Sequence, residues 1–357
     1  MNRFIQLHYL TIYPLSNPNR DEQGRPKSAT YGGQPRLRIS SQALKRAARL
    51  SDAMQDALAG HLGERTQRIG EEIRKTLKEE GVDGQQAEEL ATAIADVFGK
   101  LDEKAAKKGQ IRTKQLAFIS PDERACAIDL ARKAAAGEPL PDNAELKKRI
   151  LRPADGAADV AMFGRMLAGD PDFNREAAVQ VSHALTTHRA VVEDDFYTAV
   201  DDLKTPSEDA GAGFVGEAGF GSGVFYTYAC VDVNLLRENL EGDTDLAARA
   251  AGALAAALAT ATPSGKRNAF AHQTCASYLR AEAGERQPRS LAGAFFTPVA
   301  GKDLLQASIN ALQDTERQMT KAYFNGQSEK SAIMNVPAEQ GSLDAIREFV
   351  EAAVRDA

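Results

Sequence analysis

An α+β fold, a sheet domain interrupted by a helical insertion, is what the sequence predicts, and three observations predict it. Strand-like stretches occur at residues 3–12 and then only after residue 158, with the strongest at 223–233. Residues 52–155 between them carry apolar side chains at helical spacing. Helical patterns return after residue 243. Discontinuous strands with helices between them point to this class.

Residues 3–12 place Ile5, Leu7 and Tyr9 on one face and Gln6 and His8 on the other, the period of a strand. Asn19 to Gln42 is rich in Gly, Pro and Ser and lacks a period, so a long loop is expected, its middle made cationic by Arg20, Arg25 and Lys27. The segment RLRISSQALKRAARL, residues 36–50, overlaps its end. Arg36, Arg38, Lys45, Arg46 and Arg49 stand there with no acidic residue among them. Two serines start a helix on which Gln42, Lys45, Arg46 and Arg49 fall at i, i+3, i+4 and i+7 and share a face. Leu44, Ala47, Ala48 and Leu50 take the packing side. The face is suited to a row of phosphates, and the serine-started N-terminus offers N–H groups that favour anions. A solvated basic surface has the same pattern.

The block 52–155 reads as all-helical. Leu62, Ile69, Ile73 and Leu77 recur at helical spacing up to Gly81. Ala87, Leu90, Ala91, Ile94, Val97, Phe98 and Leu101 recur more regularly, and further helices are expected near 121–136 and 142–150. Strands are expected at 159–167, 177–186 and 223–233, with an irregular stretch at 190–222. Helices are expected at about 243–261, 300–325 and 342–355, two of them striped by Leu246, Ala250, Leu254 and Leu258 and by Leu343, Ile346, Val350 and Val354.

A chain of 357 residues buries a substantial core, as two domains or as one with large insertions. The net charge is -6, yet residues 1–51 hold nine Lys/Arg against two acids, a net of +7 that leaves -13 on the remainder. That polarity suggests a local anionic partner, and it permits a basic surface to meet an acidic one on the next copy. No apolar run reaches the ~18 residues of a membrane span. Gln6 and His8 interrupt the N-terminal apolar stretch, so no signal peptide is expected. Cys126, Cys230 and Cys275 are isolated and fit buried thiols in a reducing cytoplasm.

Gly211 to Gly216 spell GxGxxG, but no strand precedes and no helix follows, so a dinucleotide site is rejected in favour of a flexible loop or hairpin arm. His183 and His188 face opposite ways if they share a strand, and five histidines and three cysteines give no zinc constellation. Asp194, Asp195, Asp201 and Asp202 flank Phe196, Tyr197 and Thr198. Such carboxylates can hold Mg²⁺ for phosphodiester cleavage, and solvated loop acids are as plausible. Exposed Phe196, Tyr197 and Met166 beside a basic track can stack on bases or wedge between them. Tyr226 and Tyr228 share a strand face and are assigned to the core.

The run NRD…GGQPRLRISSQALKR resembles the CasC family, the backbone (Cas-seven type) subunit of the type I-E CRISPR complex Cascade. Supporting segments are FGRM at 163–166, HALTTH at 183–188, FYTAVDDL at 196–203 and SGVFYTYA at 222–229, in the right order, with PSGKR at 263–267 in the C-terminal third. The resemblance implies a hand-like molecule. An RRM-like, ferredoxin-like palm would comprise 1–58, 159–189 and 223–357, helical fingers 59–158, and a loop or hairpin thumb 190–222. Copies would stack along one CRISPR RNA, each thumb displacing a base at regular intervals so that the rest pair with target DNA. Large, small, cap and RNA-processing subunits would complete the complex, with no cofactor and no catalytic role for this chain.

Position by position, the resemblance implies that Arg20, Lys27, Ser40, Gln42, Lys45, Arg46 and Arg49 hold the RNA backbone. Met166, Phe196, Tyr197 and Thr198 would sit at the kinked nucleotide, and Lys266 and Arg267 would contact the backbone or the target strand. Gln34 and Pro35 stand where the family is more basic, which weakens a charge contact there. Guide binding has to ignore spacer sequence, so phosphate contacts should outnumber base-edge contacts. Two other readings compete. One is a type III-like subunit that cleaves RNA with Mg²⁺ through Asp21, Asp194 or Asp195. The other is a monomeric RRM-like RNA-binding protein.

Overall fold

The computed structural model describes residues 3–167, 169–199 and 214–357, without the side chains of Phe214 and Val215. Strand β1 (Phe4–Ser16) leads to β2 (Ser28–Tyr31), β3 (Gln34–Ile39), α1 (Ser41–Arg49) and α2 (Asp52–Ala57). The insertion holds β4 (Glu64–Thr66), α3 (Ile69–Glu79), α4 (Gly84–Ala95), α5 (Glu103–Ala106), β5 (Ala117–Ile119), α6 (Pro121–Ala135) and α7 (Asn143–Ile150). The chain returns through α8 (Ala158–Phe163), β6 (Val179–Val181), β7 (Ala184–Thr186), β8 (Glu193–Ala199) and β9 (Phe214–Asp232). It ends with α9 (Val233–Asn239), α10 (Thr244–Thr260), α11 (Arg267–Phe270), β10 (Ala276–Gly284), α12 (Leu304–Phe324), β11 (Lys330–Asn335) and α13 (Leu343–Arg355).

The main sheet runs β11-β10-β1-β9-β7-β3-β2, with β6 and β8 also on β9, and every pairing is antiparallel. This is the mixed α+β class expected. Strand β1 lies between β10 and β9 and is buried on both faces. Ile5, Leu7 and Tyr9 pack with the apolar sides of α10 and α13. Gln6 and His8, expected on a polar face, are 1% and 0% exposed. Helix α12 and the turn at 292–295 cover that face, with Tyr226, Tyr228 and Tyr278 in the core beneath them. Burial therefore favours partners for the polar groups there. Tyr228 donates to Gln6 Oε1 (3.0 Å), which also accepts from the Arg289 N–H (2.7 Å). Tyr226 Oη accepts from the Leu291 N–H (3.0 Å) and meets His8 Nδ1 at 2.9 Å. Burial holds the His8 imidazole down at about 3, so it is neutral and accepts the Tyr226 hydroxyl.

The insertion has a separate hydrophobic core. Ile69, Ile73 and Leu77 of α3 meet Ala91 and Ile94 of α4, Ala127 and Ala131 of α6, and Leu146 and Ile150 of α7. Each buried Leu or Ile there contributes about 1.5–3 kcal/mol. Helix α6 starts with a capping box between Ser120 and Glu123 and has Pro121 in its first turn.

Several expectations are corrected. Residues 28–39 of the expected loop form the β2–β3 hairpin. Tyr31 pairs with Gln34 across Gly32 and Gly33, whose φ values are 59° and 73°. Gly32 is doubly constrained, because a Cβ there would lie 1.7 Å from the Phe296 carbonyl oxygen. The insertion is not all-helical, since β4 pairs with β5; three-residue strands are too short to show a period. Residues 158–163, the start of the strand expected at 159–167, are a helix: apart from the buried Asp159 the run is apolar, and six such residues have no period to read. The strand expected at 177–186 is divided into β6 and β7. Strands β10 and β11 were not foreseen: Arg280 and Glu282 interrupt the apolar pattern of β10, yet they pair with each other inside the sheet at 2.7 Å. Leu50, expected to pack, is 51% exposed, and of the three cysteines expected in the interior Cys230 is buried, Cys126 half-buried and Cys275 exposed.

The irregular stretch at 190–222 contains an arm in which Glu193–Ala199 pairs with Phe214–Phe220. Asp201, Asp202, Gly211 and Gly213 lie outside the described residues. No helix among the described residues is long and apolar enough to cross a membrane.

Candidate nucleic-acid interface

Helix α1 begins as its serines predict. Ser40 is the N-cap, its Oγ accepting from the Ala43 N–H at 3.3 Å, and its own N–H donates to Asn19 Oδ1 at 2.8 Å. Its hydroxyl is engaged by the helix, and the residue is 6% exposed. The Ser41 N–H donates to His183 Nδ1 (3.1 Å), which also faces the Arg38 guanidinium at 3.3 Å. Two donors on one nitrogen require a neutral ring. Burial and the charges of Arg38 and Lys27 lower the His183 pKa in the same sense.

Leu44 and Ala48 anchor α1, and its polar arc divides into two edges. The first edge carries Arg46 and lines a cleft of ≈ 570 Å³ against Ser264, Gly265 and Arg267. The PSGKR segment is held there by backbone contacts. A Cβ on Gly265 would lie 2.4 Å from the Pro18 carbonyl oxygen, and His272 Nε2 donates to the Pro263 carbonyl at 3.0 Å. Arg267 donates to the Thr262 carbonyl at 2.8 Å, and Lys266 takes left-handed backbone with φ 48°. Arg20 lines an adjoining depression with Pro18 and Gly265. Arg46 and Arg267, 221 positions apart in sequence, thus meet around one surface.

The second edge carries Lys45 and Arg49 and faces the insertion. Lys45 Nζ lies 5.7 Å from the Phe163 ring centre and the Arg49 guanidinium 5.1 Å from that of Phe118. Arg49 Nη1 stands 3.7 Å from Asp159 Oδ2, an ion pair without a hydrogen bond. Asp159 Oδ1 accepts from the Gly63 N–H at 2.6 Å. Burial pushes the Asp159 carboxyl up to about 6. Burial lowers the pKa of Lys45 and Arg49, and the charge of Arg65 acts on both in the same direction.

Phe163, Gly164, Arg165 and Met166 each have a distinct environment. Phe163 packs under Lys45. Gly164 ends α8 at φ 75°. Arg165 is buried and pairs with Glu123 at 2.6 Å, and its neighbour in the bridge, Arg175, pairs with buried Asp155 at 2.6 Å. Met166, next to that anchor, is 82% exposed. On the arm, Phe196 and Tyr197 are 72% and 48% exposed, and Thr198 is exposed as well. Gln42 is exposed, and Lys27 is half-buried with its N–H on the Asn19 carbonyl.

Arg36 belongs to the core rather than to the cationic surface, since it is 0% exposed and donates to the carbonyls of Thr186 (2.9 Å) and Phe295 (2.8 Å). Sequence reasoning named Arg38 and His183 without giving them a place at the interface, and it did not single out Phe118 or Asp159. Arg36 and Arg38 share one face of β3, so the strand period does not separate them; the carbonyls of Thr186 and Phe295, brought from distant segments, enclose Arg36. Two of the three candidate acids are engaged as well. Asp21 Oδ1 accepts from the N–H groups of Gln23 and Arg25, and Asp194 pairs with Arg25 at 2.9 Å. Tyr226 and Tyr228 lie beneath α12, where no base can stack. Among the described residues, no group of three His, Cys, Asp or Glu is placed to hold a metal.

The family described as CT1975-like protein matches the chain over residues 5–353. A chain of a CRISPR RNA-guided surveillance complex described as pre-nicking is 30% identical, with a TM-score of 0.84 over 99% of this chain and 100% of that one. A chain of another CRISPR RNA-guided surveillance complex is 27% identical, with a TM-score of 0.69 and the same coverage. No curated protein matches.

Proposed function

The chain belongs to the CT1975-like protein family, and from that premise we propose that it is the CRISPR RNA-binding backbone subunit of a type I-E surveillance complex. Copies polymerise along one guide in the cytoplasm. Each holds the sugar-phosphate backbone through α1, the 19–27 loop and the 263–267 segment. Met166 and the arm residues Phe196, Tyr197 and Thr198 kink the guide at regular intervals, and the bases between kinks pair with target DNA. The other Cascade subunits cap and process the guide.

The observation that carries this reading is the convergence of Arg20, Arg46 and Arg267 on one surface at α1, with Lys45 and Arg49 on the helix's other edge. Phosphate contacts without base-edge contacts suit a guide of any sequence. The β-sheet centre serves as the RRM-like palm, and the separate core around α3, α4, α6 and α7 supports a fingers unit at 59–158. Residues 190–222 form the thumb. The role is structural. Asp21 and Asp194 are engaged in holding the loop and the arm, which favours this reading over RNA cleavage.

Co-expression with a CRISPR array and its neighbouring genes is expected to yield a large particle containing RNA of uniform length. A nucleic-acid-free monomer would overturn the proposal. Mg²⁺-dependent cleavage of complementary RNA, lost in Asp21→Ala or Asp194→Ala, would establish the type III-like reading instead.

A further inference from the structure

The junction of α1 with the insertion holds a residue that the α1 pattern did not include. Arg65 lies on β4, and its guanidinium sits 4.6 Å from the ring centre of Phe118, the ring that also carries Arg49 at 5.1 Å. Phe118 comes from β5, which pairs with β4 in the register Arg65–Phe118. The short β4–β5 ladder therefore fixes Arg65 beside α1. Lys45 stands on the neighbouring ring of Phe163.

Charge at this point is unbalanced. Three cations gather around two aromatic rings. Asp159 is the buried carboxylate among them, and it faces Arg49. Glu64, next to Arg65, is exposed and pairs with Arg124 at 3.7 Å. Lys45 and Arg65 form no ion pair among the described residues. Burial pushes Lys45 and Arg49 toward their neutral forms and the charge of Arg65 adds to it, opposed at Arg49 by Asp159. Like charges held together by packing make a site that an anion relieves.

We infer that Arg65 is a third grip on the guide, binding the phosphodiester next to those held by Lys45 and Arg49, so that the insertion itself holds RNA backbone. Phe118 is a positioning residue that sets the two guanidiniums at a fixed spacing. The inference rests on the proposed RNA-binding role and adds a residue outside the α1 track to it.

Arg65→Gln removes the charge at an exposed position and should leave the melting temperature unchanged. Binding of the full chain to a uridine homopolymer is measured across salt concentrations. The variant is expected to bind severalfold more weakly, with a slope of log affinity against log salt shallower by about 0.7, one single-strand phosphate contact. Phe118→Leu, with Arg65 and Arg49 intact, should weaken binding with little change in slope. An Arg65→Gln slope equal to wild type, alongside a shallower slope for Lys45→Gln, overturns the inference and leaves the RNA-binding reading standing. No binding by the wild-type chain overturns both. In guide-loaded particles, Arg65→Gln should release guide at lower salt. Intact guide retention with loss only of target-DNA capture would assign Arg65 to the target strand and refute the guide assignment.

Discussion

The covered face of the sheet and the α1 junction are built from the same residue types with opposite results. Under α12, Arg280 and Arg289 meet Glu282 and Glu316 at 2.7–3.5 Å, two cations against two carboxylates. At the junction, Lys45, Arg49 and Arg65 crowd two aromatic rings, and Asp159, the buried carboxylate there, faces Arg49. The first set is balanced and closed, so it specifies the fold. The second has a surplus of charge beside exposed surface, which is the electrostatic condition for a ligand. Arginine content does not separate them; the arithmetic of partners does.

The largest expected effect breaks the closed set. Arg289→Ala leaves Glu282 and Glu316 short of a cation in a buried site and should destabilise the fold by about 3–5 kcal/mol, read from the urea midpoint. A loss under 1 kcal/mol would mean that the set is not closed.

Acid pH sharpens the contrast, because the two regions respond with opposite signs. The Asp159 carboxyl is raised to about 6 in the fold. Its contribution is fully present below the unfolded value near 3.8 and is lost as pH rises through 6. His8, lowered to about 3, works the other way and costs stability as pH falls below 6.5. Relative to Asp159→Asn, the wild type should therefore gain about 2 kcal/mol between pH 7 and pH 4. Parallel urea-midpoint profiles for the two proteins would show that Asp159 does not titrate in this window.

A smaller effect tests the open set. Lys45→Ala with Arg49→Ala should weaken RNA binding about equally for all spacer sequences and flatten the salt dependence by about 1.4. Strong spacer dependence would refute a phosphate track. The smallest effect on stability belongs to the arm. Phe196→Ala should change folding by less than about 0.5 kcal/mol, since the ring is exposed, while costing about 1–3 kcal/mol of base stacking in guide-loaded particles. A marked fall in melting temperature would show that Phe196 packs rather than wedges.

Much of the helical architecture was legible in the sequence. Helices α6, α7, α10 and α13 fall within a few residues of their expected bounds, because a stripe at 3.6 spacing is a local signal. Short strands were not legible. Strands β4 and β5 span three residues each, and β10 holds an Arg and a Glu whose partners come from Arg289 and α12. Of the interface, the α1 face was readable from spacing, and its division into two edges was not.

By itself the sequence determined the α+β class, the run of helices between the first and later strands, the cationic α1 and the family resemblance, all properties of short windows or of residue order. Only the tertiary structure decided that Arg36 is core while Arg38 is surface, that Arg46 and Arg267 line one cleft, and that Arg65 joins Arg49 on Phe118. The reason is physical. A cation's role depends on its burial and its partners, and those partners come from distant segments that meet only when the sheet and the insertion pack.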